Sequence, residues 1–140
     1  MRRIYLASSW RNEQQPEMVE ILKSWGHLVY DFRNPLGKTG FSWSDIDPNW
    51  KNWDADEYVD ALNTPIASHG FLSDMRALEW CDTCVLLLPC GRSAHLEGGY
   101  AKGRGKRLII YTCDGEEPEL MALMADHIVT YSDQLKAVLT

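Results

Sequence analysis

The segment Cys84-Val85-Leu86-Leu87-Leu88, closed by Pro89-Cys90-Gly91, constrains this chain more than any other. An unbroken apolar run bounded by turn residues reads as a strand buried on both faces, and such strands belong to the middle of parallel sheets. A parallel sheet needs crossover helices, and the flanking sequence supplies them. Arg3 to Ala7 is a short apolar run that ends in Ser8-Ser9. Pro16 opens a helical stretch with Met18, Val19, Ile21, Leu22 and Trp25, and Gly26 stops it. His27 to Phe32 reads as a second strand, Phe71 to Trp80 as a helix, and Ser93 as the cap of a helix running to about Gly103. Arg107 to Tyr111 is a further strand, and His127 to Thr130 an edge strand between helices at Pro118 to Ala125 and Ser132 to Val138. The expected fold is a single doubly wound α/β domain over residues 1–140. Its mostly parallel sheet of about five strands is flanked by helices in a Rossmann or flavodoxin-like arrangement.

One stretch breaks this rhythm. From about residue 33 to 70, Pro35, Gly37, Gly40, Pro48 and Pro65 interrupt any periodicity, and Phe41, Trp43, Trp50, Trp53 and Tyr58 crowd between them. Asp54 to Leu62 is expected to supply one short helix there, with Asp54 as its N-cap. A long irregular insert in a compact domain is usually functional. Its aromatics read as a pocket wall or lid, with Trp43 able to stack on a flat ligand, and core packing as the plainer alternative.

Composition narrows the partners. A net charge of -6 with no run of Lys or Arg excludes a protein that grips a nucleic-acid backbone, because that affinity comes from phosphate neutralisation. The acidic neighbours of the tryptophans, Asp45, Asp47, Asp54, Asp56 and Asp60, argue against a single-strand stacking platform. The start of the chain does not read as a signal peptide and no segment has the length of a membrane span. Cys81, Cys84, Cys90 and Cys113 lie in or beside strand-like segments rather than in a disulfide framework, so a cytoplasmic protein is expected. No metal is expected either. His95-Leu96-Glu97 has the H-x-E of zinc deaminases, but the required later P-C-x-x-C is missing, since only Cys113 follows.

In parallel sheets ligands bind beyond the carboxyl ends of the strands. The segment Pro89-Cys90-Gly91-Arg92-Ser93-Ala94-His95-Leu96-Glu97-Gly98-Gly99-Tyr100-Ala101 starts at that edge and carries a carboxylate into a helix. Glu97 shares its helical face with Ala94 and Ala101, small residues that leave room beside it. It does not fit a capping box with Ser93, which would need its Glu at position 96. A carboxylate so placed is able to attack an anomeric carbon.

This segment, with Ile4-Tyr5-Leu6-Ala7-Ser8-Ser9-Trp10 and Asp74, resembles the nucleoside 2-deoxyribosyltransferase family over nearly the whole chain. The resemblance implies that Glu97 is the nucleophile, that Tyr5 orients it, and that Asp74 contacts or protonates the nucleobase. It implies an enzyme that needs no cofactor, acts on a small-molecule nucleoside or nucleotide and a free nucleobase, and forms a homo-oligomer. The chain departs from the family at Arg92-Ser93, where an additional aspartate is common. It also departs in Pro118-Glu119-Leu120-Met121, where Glu119 stands in place of the family's asparagine beside Met121. Ser9-Trp10-Arg11 resembles instead the phosphate contact of the related nucleoside 5′-monophosphate N-glycosidases. With Ser8, Gly91, Arg92 and Ser93 it would offer hydroxyls, guanidinium groups and free N–H groups to a dianion. A non-catalytic nucleotide sensor is the remaining alternative.

Overall fold

In a computed structural model that describes residues 1–140, five parallel strands form one sheet in the order β2-β1-β3-β4-β5. The strands are β1 (Arg3–Ala7), β2 (Leu28–Tyr30), β3 (Thr83–Leu87), β4 (Arg107–Tyr111) and β5 (His127–Val129). The helices are α1 (Gln15–Ser24), α2 (Ala55–Leu62), α3 (Pro65–Trp80), α4 (Arg92–Gly103) and α5 (Ser132–Leu139). Side chains alternate across a strand, so each strand feeds two cores. Ile4, Leu6, Val85, Leu87 and Ile109 pack against Met18, Val19 and Leu22 of α1 and Leu135 and Leu139 of α5. Tyr5, Ala7, Cys84, Leu86, Leu108 and Ile110 face the other way, onto Ala77 and Leu78 of α3 and Ala94 and Ala101 of α4. Every residue of β3 is buried, as its apolar run requires. The expected doubly wound fold is the observed one.

Helix α4 lies close to the sheet because its inner face carries almost no side chain. Ala94, Gly98 and Ala101 are buried there, and a Cβ on Gly98 would stand 3.4 Å from Leu108 Cδ1 and 3.9 Å from Leu86 Cδ2. A larger residue would lift the helix, and with it Glu97, away from β1.

Several boundaries shift for physical reasons. Ser93 is not the cap of α4: Gly91 is, in extended backbone, and Arg92 is already helical. Pro65 does not break structure but opens α3, since a proline at the first helical position gives up only an N–H with no partner there, and Thr64 Oγ1 accepts from Ala67 N at 3.3 Å. The irregular insert therefore ends before residue 65, and Phe71 to Trp80 is the second half of a longer helix. The stretch from Pro118 to Ala125 makes only a 3-10 turn, Leu120–Met124, with Leu120 and Leu123 exposed and only the small Ala122 and Ala125 packed on the core. Within the insert, Asp54 caps α2 as expected and completes a capping box with Glu57. No helix of the molecule is long and apolar enough to cross a membrane.

The insert closes tightly on the end of β2. Gly40 is buried and its N–H donates to the Arg33 carbonyl at 2.8 Å. A Cβ there would come within 2.0 Å of the Phe32 carbonyl oxygen, a backbone atom that cannot swing aside. Gly40→Ala should therefore destabilise the protein by about 2–3 kcal/mol, the cost of forced overpacking. Chemical denaturation checks this, and an unchanged midpoint would mean that the insert relaxes freely.

Candidate active site

The small-residue face of α4 brings Glu97 down over β1, where the Tyr5 hydroxyl donates a hydrogen bond to Glu97 Oε2. Tyr5 is fully buried and cannot easily ionise: burial, then the charges of Glu97 and Asp74, hold its phenol far above its usual range. It is thus a fixed neutral donor to one carboxylate oxygen. The Glu97 carboxyl is pushed up to about 7, chiefly by burial and further by the charge of Asp74, against the lowering effect of the Tyr5 hydrogen bond.

Asp74 lies in the interior of α3, not near a helix start as the expected element boundaries implied, so it gains nothing from the positive end of the helix. Its Oδ1 accepts from the Tyr30 hydroxyl at 2.8 Å, and that hydroxyl lies 3.1 Å from Ser73 Oγ. Burial raises the Asp74 carboxyl and the Tyr30 bond lowers it, with the first effect larger. Tyr5 and Tyr30 stack with ring centroids 5.1 Å apart. The sequence motifs do not reveal Tyr30 or Ser73. The one available signal is that Tyr30 sits in β2 at the register position opposite Tyr5.

A buried carboxyl with a raised pKa weakens the fold once it ionises. The unfolded chain loses the Glu97 proton near 4.5 and the folded chain near 7, so stability is highest below the first value and falls as pH rises through the window to the second. Above that window the cost is about 3 kcal/mol at roughly 1.4 kcal/mol per pH unit. Glu97→Gln should therefore melt at a higher temperature than the unaltered protein at pH 8 and at nearly the same temperature near pH 4.5. Equal melting at both pH values would mean that Glu97 is not held in a desolvated site.

The loop after β1 forms a second feature beside this pair. Ser9 and Arg11 line a small cleft of about 110 Å³ together with Pro89 and Cys90. Arg11 Nη2 is 3.8 Å from where a Gly91 side chain would begin, so the guanidinium lies along the start of α4. Arg92 and Ser93 are exposed on the first turn of α4. The Ser8 hydroxyl is turned inward, donating to the Leu87 carbonyl at 3.0 Å and tying β1 to β3. The loop is clamped from beneath by Arg33, which the motifs also leave unmarked. Its Nη2 donates to the carbonyls of Ser9 (3.3 Å), Trp10 (2.7 Å) and Asn12 (2.9 Å), and the guanidinium lies over the Trp10 ring at 5.0 Å.

The remaining sequence-derived residues lie apart from this arrangement. Trp43 packs edge-on against Phe41, Trp53 and Tyr58 in an aromatic cluster of the insert. Met121 is exposed on the turn between β4 and β5. Cys81 and Cys84 are buried free thiols, raised mainly by burial, so neither has the thiolate character of a redox motif. His95 is exposed and bonds through Nδ1 to the Gly91 carbonyl at 2.9 Å. No three His, Cys, Asp or Glu side chains gather in a way that could hold a metal ion.

No family model and no curated protein matches the sequence. Solved structures do resemble the fold. A 2-deoxyribosyltransferase from Bacillus psychrosaccharolyticus superposes with a TM-score of 0.63 at 18% identity, over 95% of this chain and 89% of its own. The CMP N-glycosidase BcmB of Clostridium botulinum superposes with a TM-score of 0.54 at 16% identity, over 99% of this chain and 98% of its own. Across its length, therefore, the chain has the fold shared by a deoxyribosyltransferase and a nucleotide N-glycosidase.

Proposed function

We propose that this chain is an enzyme of the nucleoside 2-deoxyribosyltransferase family that cleaves or transfers the N-glycosidic bond of a small nucleoside or nucleotide. The observation that carries this reading is the pairing of a half-buried, Tyr5-bonded Glu97 with a second half-buried carboxyl, Asp74, in one site. Tyr5 occupies Oε2 of Glu97 and leaves the other oxygen free to attack C1′ of the sugar. Departure of the base builds positive charge on that carbon, and the carboxylate captures it as a glycosyl ester. The leaving base takes a proton from Asp74, whose burial favours the protonated form. A second nucleobase, or water, then attacks C1′ and releases Glu97. Transfer between nucleosides is the preferred reading.

Hydrolysis of a nucleoside 5′-monophosphate is the second reading, and the Ser9–Arg11 cleft beside Gly91 favours it. A guanidinium aligned along a helix start is well suited to a phosphate dianion. Both readings place the protein in the cytoplasm, in keeping with its four free cysteines, and as a homo-oligomer. Exposed Phe71 and Leu72 on α3 and Leu120, Met121 and Leu123 on the later turn offer apolar surface for a second copy.

A panel of 2′-deoxynucleosides and 5′-monophosphates, incubated with and without a second free base and followed by chromatography, separates the two. A new nucleoside formed only with the acceptor base establishes transfer. Base released from monophosphates alone establishes hydrolysis. Binding of monophosphates without any turnover would leave a nucleotide sensor in place of both.

A further inference from the structure

Strands β1 and β2 run parallel with Tyr5 directly opposite Tyr30, and the two stacked rings send their hydroxyls to different carboxyls, Tyr5 to Glu97 and Tyr30 to Asp74. The two phenols differ in one respect. Tyr5 has a single hydrogen-bond partner for its hydroxyl, whereas Tyr30 has two, because Ser73 Oγ lies 3.1 Å away on the side remote from Asp74 Oδ1 in the chain of bonds. A hydroxyl has one proton to give and lone pairs to receive, so the direction of such a chain is not fixed. When Asp74 is ionised, Ser73 donates to Tyr30 and Tyr30 donates to Oδ1. When Asp74 is protonated, the carboxyl donates to Tyr30 and Tyr30 donates to Ser73, whose own proton turns outward from a half-buried position. Every polar atom of the chain keeps a partner in both states. A lysine, an arginine or a backbone amide in place of Tyr30 could only donate, and would hold Asp74 ionised.

We propose that Tyr30 and Ser73 are positioning residues that form a reversible hydrogen-bond chain, allowing Asp74 to hold a proton and to release it without moving. The inference deepens the N-glycosidic reading and rests on it for the identity of Asp74 as the acid. The groups that face Asp74 are Tyr5 from β1, Tyr30 from β2 and Glu97 from α4, with Ser73 from its own helix. Tyr5 is committed to Glu97. Burial is the larger influence on the Asp74 proton, and Tyr30 is the side chain that orients the carboxyl and opposes that burial.

The test uses Tyr30→Phe, which keeps the stacked ring, with Ser73→Ala and Ser73→Thr as a removal and rescue pair on α3. The titration of the Asp74 carboxyl is followed by carbon NMR in each protein, and the pH profile of turnover is measured with 2′-deoxycytidine and cytidine 5′-monophosphate. Bonds to a charged carboxylate are the stronger, so Tyr30→Phe costs the ionised form more and the Asp74 midpoint should rise; Ser73→Ala removes the acceptor that Tyr30 needs when Asp74 holds its proton, so there the midpoint should fall, and it should return in Ser73→Thr. Turnover requires protonated Asp74, so the descending limb of the profile should move with that midpoint, alkaline in Tyr30→Phe and acid in Ser73→Ala. The kcat should fall roughly tenfold while KM changes little, as for a misplaced acid. An Asp74 midpoint that is unchanged in both variants, or that rises in Ser73→Ala as it does in Tyr30→Phe, overturns the reversible chain. If Tyr30→Phe fails to fold, the serine pair carries the same comparison. A shifted midpoint in a protein that turns over no member of the full panel of 2′-deoxynucleosides and 5′-monophosphates supports the chain and overturns the glycosidic reading.

Discussion

Replacing Glu97 by glutamine should lower turnover by roughly six orders of magnitude, the scale of loss when a covalent nucleophile is removed. Glutamine keeps the size of the side chain and an oxygen that can still accept from Tyr5, so the fold and the position of α4 stay as they are. What disappears is the anionic oxygen that the proposed reaction bonds to C1′. A stepwise reaction through an ester then has no first step, and only the weaker contributions of binding and of Asp74 remain. The loss should fall on kcat with substrate binding retained. Rapid quenching followed by mass spectrometry should detect a sugar-sized adduct on the unaltered protein and none on the variant. Because the same substitution is expected to stabilise the fold at pH 8, an unfolded sample cannot be mistaken for a chemically dead one. Residual activity within tenfold of the unaltered protein would show that the chemistry does not pass through Glu97.

The parts of this molecule that were legible in its sequence are those in which local pattern and tertiary role coincide. The run after Thr83 needs both faces covered, and β3 is buried throughout. Arg107 to Tyr111 alternates into two cores and forms a strand with those bounds. Asp54 reads as an N-cap, and the structure forms that cap, with Glu57 completing a capping box. Glu97 stood out because Ala94 and Ala101 flank it at helical spacing, and the same small face lets α4 approach the sheet.

Legibility fails where one residue type serves two purposes or where a contact is made only by the fold. Pro65 reads equally as a loop breaker and as a helix opener, and only Thr64 as its cap decides between them. Leu120 to Met124 has helical composition, but within it only the small Ala122 packs on the core. Tyr30 meets Ser73 and Asp74 across more than forty residues of sequence, through a strand register that no local motif encodes. Arg33 likewise reaches back to three carbonyls of the loop after β1, an interaction whose acceptors leave no trace in side-chain identity. Sequence motifs thus point to the carboxyls of the candidate site, while the side chains that hold them come into view with the topology.

Asp74→Asn should separate proton donation from mere contact with the base. If Asp74 supplies the proton that lets the base leave, the amide, which has no acidic proton, should slow turnover by roughly two to three orders of magnitude on an ordinary nucleoside. The size of that loss depends on how much the leaving group needs the proton. A substrate whose leaving group departs as a stable anion should lose far less, because its transition state asks nothing of Asp74. The two effects differ in pH behaviour as well: the unaltered protein should lose activity as the Asp74 carboxyl deprotonates, and the variant should lack that descending limb. Asparagine can accept from Tyr30 as the carboxylate does, so the site keeps its shape and the comparison isolates the proton. An equal loss on both kinds of substrate, with the descending limb intact, would make Asp74 a binding contact and place the acid elsewhere. A loss confined to poor leaving groups fixes the division of labour between the two carboxyls, with the bond to carbon made by Glu97 and the proton to the base given by Asp74.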